Sequence, residues 1–140
     1  MSDSQRFPVA AHVLAYLAHK DALSAASAVS SSELAQSVAT NPVVVRRVTA
    51  MLARSGLIAT RRGATGGAWL TRPADQIGLD AVLRAVNECA RFGAPRIGSQ
   101  HCPVGERLPA RVQAAINAAD EAAARQLGST TVADLLAAAE

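Results

Sequence analysis

Six arginines (Arg46, Arg47, Arg54, Arg61, Arg62 and Arg72) and no carboxylate fall between Leu34 and Ala74. A run of fixed cations of this kind matches a polyanion, because each guanidinium can replace a counterion condensed on a phosphate chain. Arginine's planar fork also suits bidentate contact with phosphate oxygens or a guanine edge. The other groups with reactive chemistry are Cys89 and Cys102, with twelve residues between them, and His12, His19 and His101. Two cysteines are too few for a secreted disulfide scaffold or a four-cysteine zinc site, which leaves them as reactive thiols, ligands or packing residues. No nucleophile–base pair, metal-ligand cluster or cofactor fingerprint occurs at usable spacing, so an enzyme is not expected.

The chain that must position these groups has 140 residues, 50% of them apolar, 3% aromatic and 18% charged. That suits one globular domain, or two small units sharing a core. Thirty-two residues are alanine, so bulky apolar side chains are scarce and oligomerisation is the expected supplement. No apolar run reaches the roughly 18 residues of a bilayer span, and the first six residues are polar, so a soluble, cytoplasmic protein with no membrane partner is expected. Residues 1–73 carry eight basic and three acidic side chains, whereas residues 74–140 carry six and eight. The two parts therefore have different jobs.

Apolar residues Phe7, Val9, Ala10, Val13, Leu14 and Leu17 recur at helical spacing and predict a helix over Pro8–Lys20, followed by a loop over Asp21–Val29. Ser30–Glu33 reads as a capping box opening a short helix to Val38. Asn41 before Pro42 reads as an N-cap with proline at the first helical position, and Val44, Val45, Val48, Met51 and Leu52 stripe a helix ending near Gly56. Strands at Leu57–Arg62 and Ala68–Thr71, joined by Gly63–Gly67, make a β-hairpin. The expected fold is mainly α with this small hairpin, a winged helix-turn-helix over residues 1–78. Residues 79–140 are read as a helical dimerisation and sensor region. It comprises a helix over Leu79–Glu88 with Leu79, Val82, Leu83 and Val86 inward, a loop over Ala90–Gln100, and a long helix over Pro103–Gly128. Pro109 is expected to delay or kink the long helix, and a threonine-capped helix over Val132–Ala139 closes the chain. On the long helix Val104, Leu108, Val112, Ile116, Ala119, Ala123 and Leu127 form a stripe that needs a partner helix.

A major groove admits one helix and offers a distinct donor and acceptor pattern for each base pair, so the Asn41 helix would present Asn41, Val43, Arg46 and Arg47. Arg46 and Arg47 stand about 100° apart, so one reads a guanine while the other holds a phosphate. In the hairpin, Arg61, Arg62, Gly63 and Thr65 bring cations and a close-approaching backbone to a phosphate or minor groove. A nucleotide-binding loop is excluded, because a strand rather than a helix follows the glycines. Trp69 is expected to pack the hairpin. The few aromatics are not interleaved with the arginines, which disfavours single-strand or RNA binding.

The runs Asn41–Arg47, Ser55–Ile58, Arg62–Leu70 and Arg72–Pro73, with Ile77, Leu79 and the late Cys102–Gly105, resemble the Rrf2 family of bacterial transcription regulators over nearly the whole chain. The resemblance implies a homodimer with a winged helix-turn-helix on each protomer and a two-fold double-stranded DNA operator. It also places Asn41, Val43, Arg46 and Arg47 at base and phosphate contacts, and Arg62 and Gly63 at the minor groove. Arg46 stands where a family member uses an acidic residue in base discrimination, so a different operator sequence is expected.

Family members that bear an iron–sulfur cluster carry three cysteines in a short loop and often a histidine three residues after the last; here there are two cysteines, and position 105 is glycine. A 2Fe–2S cluster needs four ligands. Cys89 and Cys102 would have to recruit His12, His101 or a partner protomer, so no cofactor is expected. The alternatives are thiol sensing by Cys102 at a helix N-terminus, aided by Arg91 and Arg96, or a purely structural role for both cysteines. His12 is read as a packing histidine near the apolar side of its helix, and His19 and His101 as solvated. The expectation is a homodimeric, sequence-specific DNA-binding transcription regulator, a repressor responsive to a redox or small-molecule signal. The competing expectation is a winged-helix protein-interaction module using its basic face on an acidic partner.

Overall fold

The computed structural model describes residues 5–87 and 91–139 of the chain. Its elements run α1 (Arg6–His19), α2 (Ser31–Val38), α3 (Pro42–Arg54), β1 (Ile58–Arg61), β2 (Gly67–Leu70), α4 (Leu79–Val86), α5 (Pro103–Gly128) and α6 (Val132–Ala139). The strands pair antiparallel, with Ile58 opposite Leu70 and Arg61 opposite Gly67. The fold is mainly helical with a small two-stranded sheet, as expected. Among the described residues no helix is long and apolar enough to cross a membrane.

Apolar spacing decides which faces turn inward. Val13, Leu14 and Leu17 of α1, Leu34 of α2, and Val45, Val48 and Leu52 of α3 are buried together with Ile58 and Leu70 of the hairpin. Each such side chain contributes about 1.5–3 kcal/mol on leaving water. Leu79, Val82 and Val86 of α4 and Val132 of α6 belong to the same apolar cluster. Leu83, expected inward, is only half-buried.

Several junctions are set by local hydrogen bonds. Ser30 accepts from the Glu33 amide at 3.1 Å, but the expected return bond is replaced: the Glu33 carboxylate accepts from Tyr16 Oη at 2.7 Å and pairs with Lys20 Nζ at 3.7 Å. Glu33 thus ties α2 to α1. Ala39 ends α2 in the left-handed region at φ 61°, and Asn41 Oδ1 accepts from the Val43 amide at 2.8 Å to open α3. Thr71 Oγ1 donates to the Gly56 carbonyl at 2.6 Å, fixing the foot of the hairpin to the end of α3.

The structure departs from the sequence reading at further places. The segment expected to be a plain loop contains a 3-10 turn at Ala25–Ser27, and Val29 exchanges backbone hydrogen bonds with Ala68 at 2.9 and 2.8 Å. This segment therefore lies along the outer edge of β2. A Cβ at Gly67 would overlap the Val29 carbonyl, so the approach needs glycine. α4 ends at Val86, and Glu88, Cys89 and Ala90 lie outside the described residues. α5 begins at Pro103, so Pro109, which sits within its first turns, does not delay its start. Proline there forfeits the helical bond to the Gly105 carbonyl, and the Gly98 backbone packs against that carbonyl. Finally, His12 is exposed rather than packed, with Nε2 2.9 Å from Ser37 Oγ.

Candidate nucleic-acid interface

α3 buries Val45, Val48, Thr49, Met51 and Leu52, and at about 100° per residue that leaves Val43, Arg46, Arg47 and Ala50 on the opposite side. All four are exposed. Thr49 is largely buried, and its Oγ1 donates to the Arg46 carbonyl at 3.0 Å. Asn41 is exposed, but its Oδ1 is committed to the cap, which leaves Nδ2 as its outward donor.

Across from α3 stands the hairpin. Arg61 Nη2 donates to the Thr65 carbonyl at 3.0 Å, and the Gly66 amide donates to the Gly63 carbonyl at 3.0 Å. A Cβ on Gly66 would overlap the Arg61 carbonyl, so the sharp turn depends on that glycine. Arg62, Gly63 and Thr65 are exposed at the tip. Trp69 is half-buried and packed on the core, as expected for a hairpin packing residue.

Between α3, the start of α2 and the hairpin lies a cleft of about 560 Å³. Its lining includes Ser30, Ser31, Arg46, Arg61, Arg62 and Gly63, and no carboxylate. A cleft with cations on both walls and hydroxyls at one end suits an anionic strand. The sequence reading missed the contribution of Ser30–Ser32, because their capping role accounted for them. Arg46 lines this cleft and Arg47 does not, a distinction the adjacent sequence positions conceal.

The stripe on α5 is open. Val104 is 64% exposed, Leu108 51% and Val112 38%, whereas Leu127 at the far end packs against the core. Cys102 precedes α5, is exposed, and has its thiol held below the ordinary cysteine range by the backbone N–H groups of Gly105 and Val104, in that order. Arg91, expected to assist the thiol, instead lies 3.8 Å from Asp120 on α5 and against the Phe92 ring. His19 and His101 are exposed.

Residues 3–138 match the Rrf2 family, described as an iron-dependent transcriptional regulator. The HTH-type transcriptional regulator YwnA of Bacillus subtilis (strain 168) is 31% identical over 134 residues, 95% of this chain and 96% of that protein. A transcriptional regulator of known structure from Lactobacillus plantarum is 28% identical, with a TM-score of 0.76 over 95% of this chain and 88% of its own. IscR of T. potens, 21% identical, superposes with a TM-score of 0.67 over 100% of this chain and 89% of its own, a likeness of fold.

Iron raises a test of the donor set. Among the described residues no three histidine, cysteine, aspartate or glutamate side chains converge. At Gly105 the backbone of Gly98 and Ser99 fills the space a side chain would take. Of the candidate ligands, Cys102, His101 and His12 are exposed and Cys89 lies outside the described residues.

Proposed function

The chain belongs to the Rrf2 family of transcription regulators, and from that premise we propose that it is a homodimeric repressor. It reads duplex DNA with α3 in the major groove and the hairpin against the neighbouring minor groove. The observation that carries this reading is the carboxylate-free cleft between α3 and the wing, with Arg46 on one wall and Arg62 on the other. Arginine–phosphate contacts supply affinity by counterion release, and base edges supply specificity. In this arrangement Arg46 faces the sugar–phosphate strand running between the two grooves, and Arg47, outside the cleft, reads a guanine. Two-fold pairing is supported by the open stripe of Val104, Leu108 and Val112. It is also supported by area: the chain exposes 8451 Å², where a monomer of its mass exposes about 6,800 Å².

The experiment is selection of duplexes from a random pool by the full chain, followed by a salt titration of the selected site. An enriched inverted repeat, bound with an affinity that falls steeply with salt, supports the reading. Recovery of no enriched sequence overturns it. A second reading, regulation by oxidation, is favoured by the exposed and acidified Cys102 thiol. A peroxide would transfer one oxygen to the thiolate, forming a sulfenate and water. Peroxide-sensitive DNA binding that Cys102→Ser abolishes supports this role, and equal sensitivity in Cys102→Ser removes it.

A further inference from the structure

Val43 is an apolar side chain, 52% exposed, at the second position of α3. Valine is a weaker helix former than alanine or the straight-chain residues, and an exposed valine leaves apolar surface in water. Neither helix stability nor the core accounts for it there. Counting about 100° per residue from Val43, Ala50 falls within about 20° of it, Arg46 about 60° to one side and Arg47 about 40° to the other. The outermost line of α3 is therefore an apolar ridge with a cation on each flank. The Asn41 Oδ1 bond to the Val43 amide holds the head of that ridge.

Among the groups that base edges present in the major groove, the thymine C5-methyl is the apolar one. Resting on the DNA reading above, we propose that Val43 is a specificity-determining residue for thymine. Its methyl groups pack on one thymine methyl in each half-site. Val43 and Arg47 are about 6 Å apart along the helix axis and successive base pairs about 3.4 Å apart, so the guanine read by Arg47 lies within about two base pairs of that thymine.

The test replaces each thymine of the selected duplex in turn by deoxyuridine, which removes the methyl and nothing else, and measures binding of the full chain. One thymine per half-site is expected to show a loss of about fourfold, and Val43→Ala is expected to bind the thymine and deoxyuridine duplexes equally. Because Val43 is exposed, the variant should keep the parent's circular dichroism and melting temperature. An enriched sequence indifferent to every thymine methyl overturns this inference alone, as does undiminished methyl sensitivity in Val43→Ala. A pool with no enriched sequence overturns the DNA reading, and this inference with it.

Discussion

Arg61 Nη2 donates to the carbonyl oxygen of Thr65 at 3.0 Å, so the first cation of the wing is bound within its own turn while the next, Arg62, is exposed at the tip. The two neighbours should behave differently. Arg62→Ala should reduce the slope of log affinity against log salt by about one. Arg61→Ala should speed amide hydrogen exchange at Gly66, whose N–H bonds Gly63 across the same turn. Equal effects of both variants on both measurements would show that the turn does not separate their roles.

The same logic distinguishes Arg46 from Arg47. Arg46→Ala should weaken binding to all duplexes alike, because a phosphate carries no sequence information. Arg47→Ala should cost about 1–3 kcal/mol on the selected site and relax the preference at one base pair. Competition binding against single-base variants checks both. A sequence-dependent loss in Arg46→Ala would reverse the assignment.

Tyr16 and Glu33 predict an alkaline weakness. The hydrogen bond to Glu33, with burial and the carboxylate's charge behind it, holds the Tyr16 phenol above its ordinary value of 10.0. A raised value means that the neutral phenol is the stabilised form, so the contribution is complete below 10 and is lost as pH climbs through the folded value. Tyr16→Phe should be less stable than the parent by a constant margin in denaturant titrations below pH 10, and the margin should shrink above it. A margin independent of pH would leave the hydrogen bond without a measurable role.

Leu108 is half exposed on α5, so Leu108→Glu should leave the circular dichroism of the chain intact while sedimentation shows monomers. Binding to a two-fold site should then fall towards that of a single half-site. By contrast, Leu52→Ala, in the core, should cost about 2–5 kcal/mol of stability. A paired Leu108→Glu would place the interface elsewhere.

The elements were legible in the sequence wherever a strong local signal marked them. Asn41–Pro42 fixed the start of α3 because cap and proline act within one turn, and the stripe on α5 gave both of its ends. What was hidden depended on contacts far apart in the chain. Glu33 looked like a capping-box residue, but Tyr16 lies one turn before the end of α1 and reaches its carboxylate first. Val29 looked like loop because its ladder partner, Ala68, is thirty-nine positions away. At the interface, residue types identified the basic face, but Arg46 and Arg47 could be told apart only once α3 had a side turned to the wing. Of the histidines, His19 and His101 are exposed as read, whereas His12, read as packed, is exposed and meets Ser37, twenty-five positions away.

α5 is pinned at one end. The Val132 amide bonds the Ile77 carbonyl at 2.9 Å and the Leu79 amide bonds the Thr130 carbonyl at 2.9 Å, stitching the turn after α5 to the segment that leads from the hairpin into α4. Its 26 residues reach about 39 Å from there. By that length alone, a pivot of about 5° at the stitched end would carry the Pro103 tip through about 3 Å.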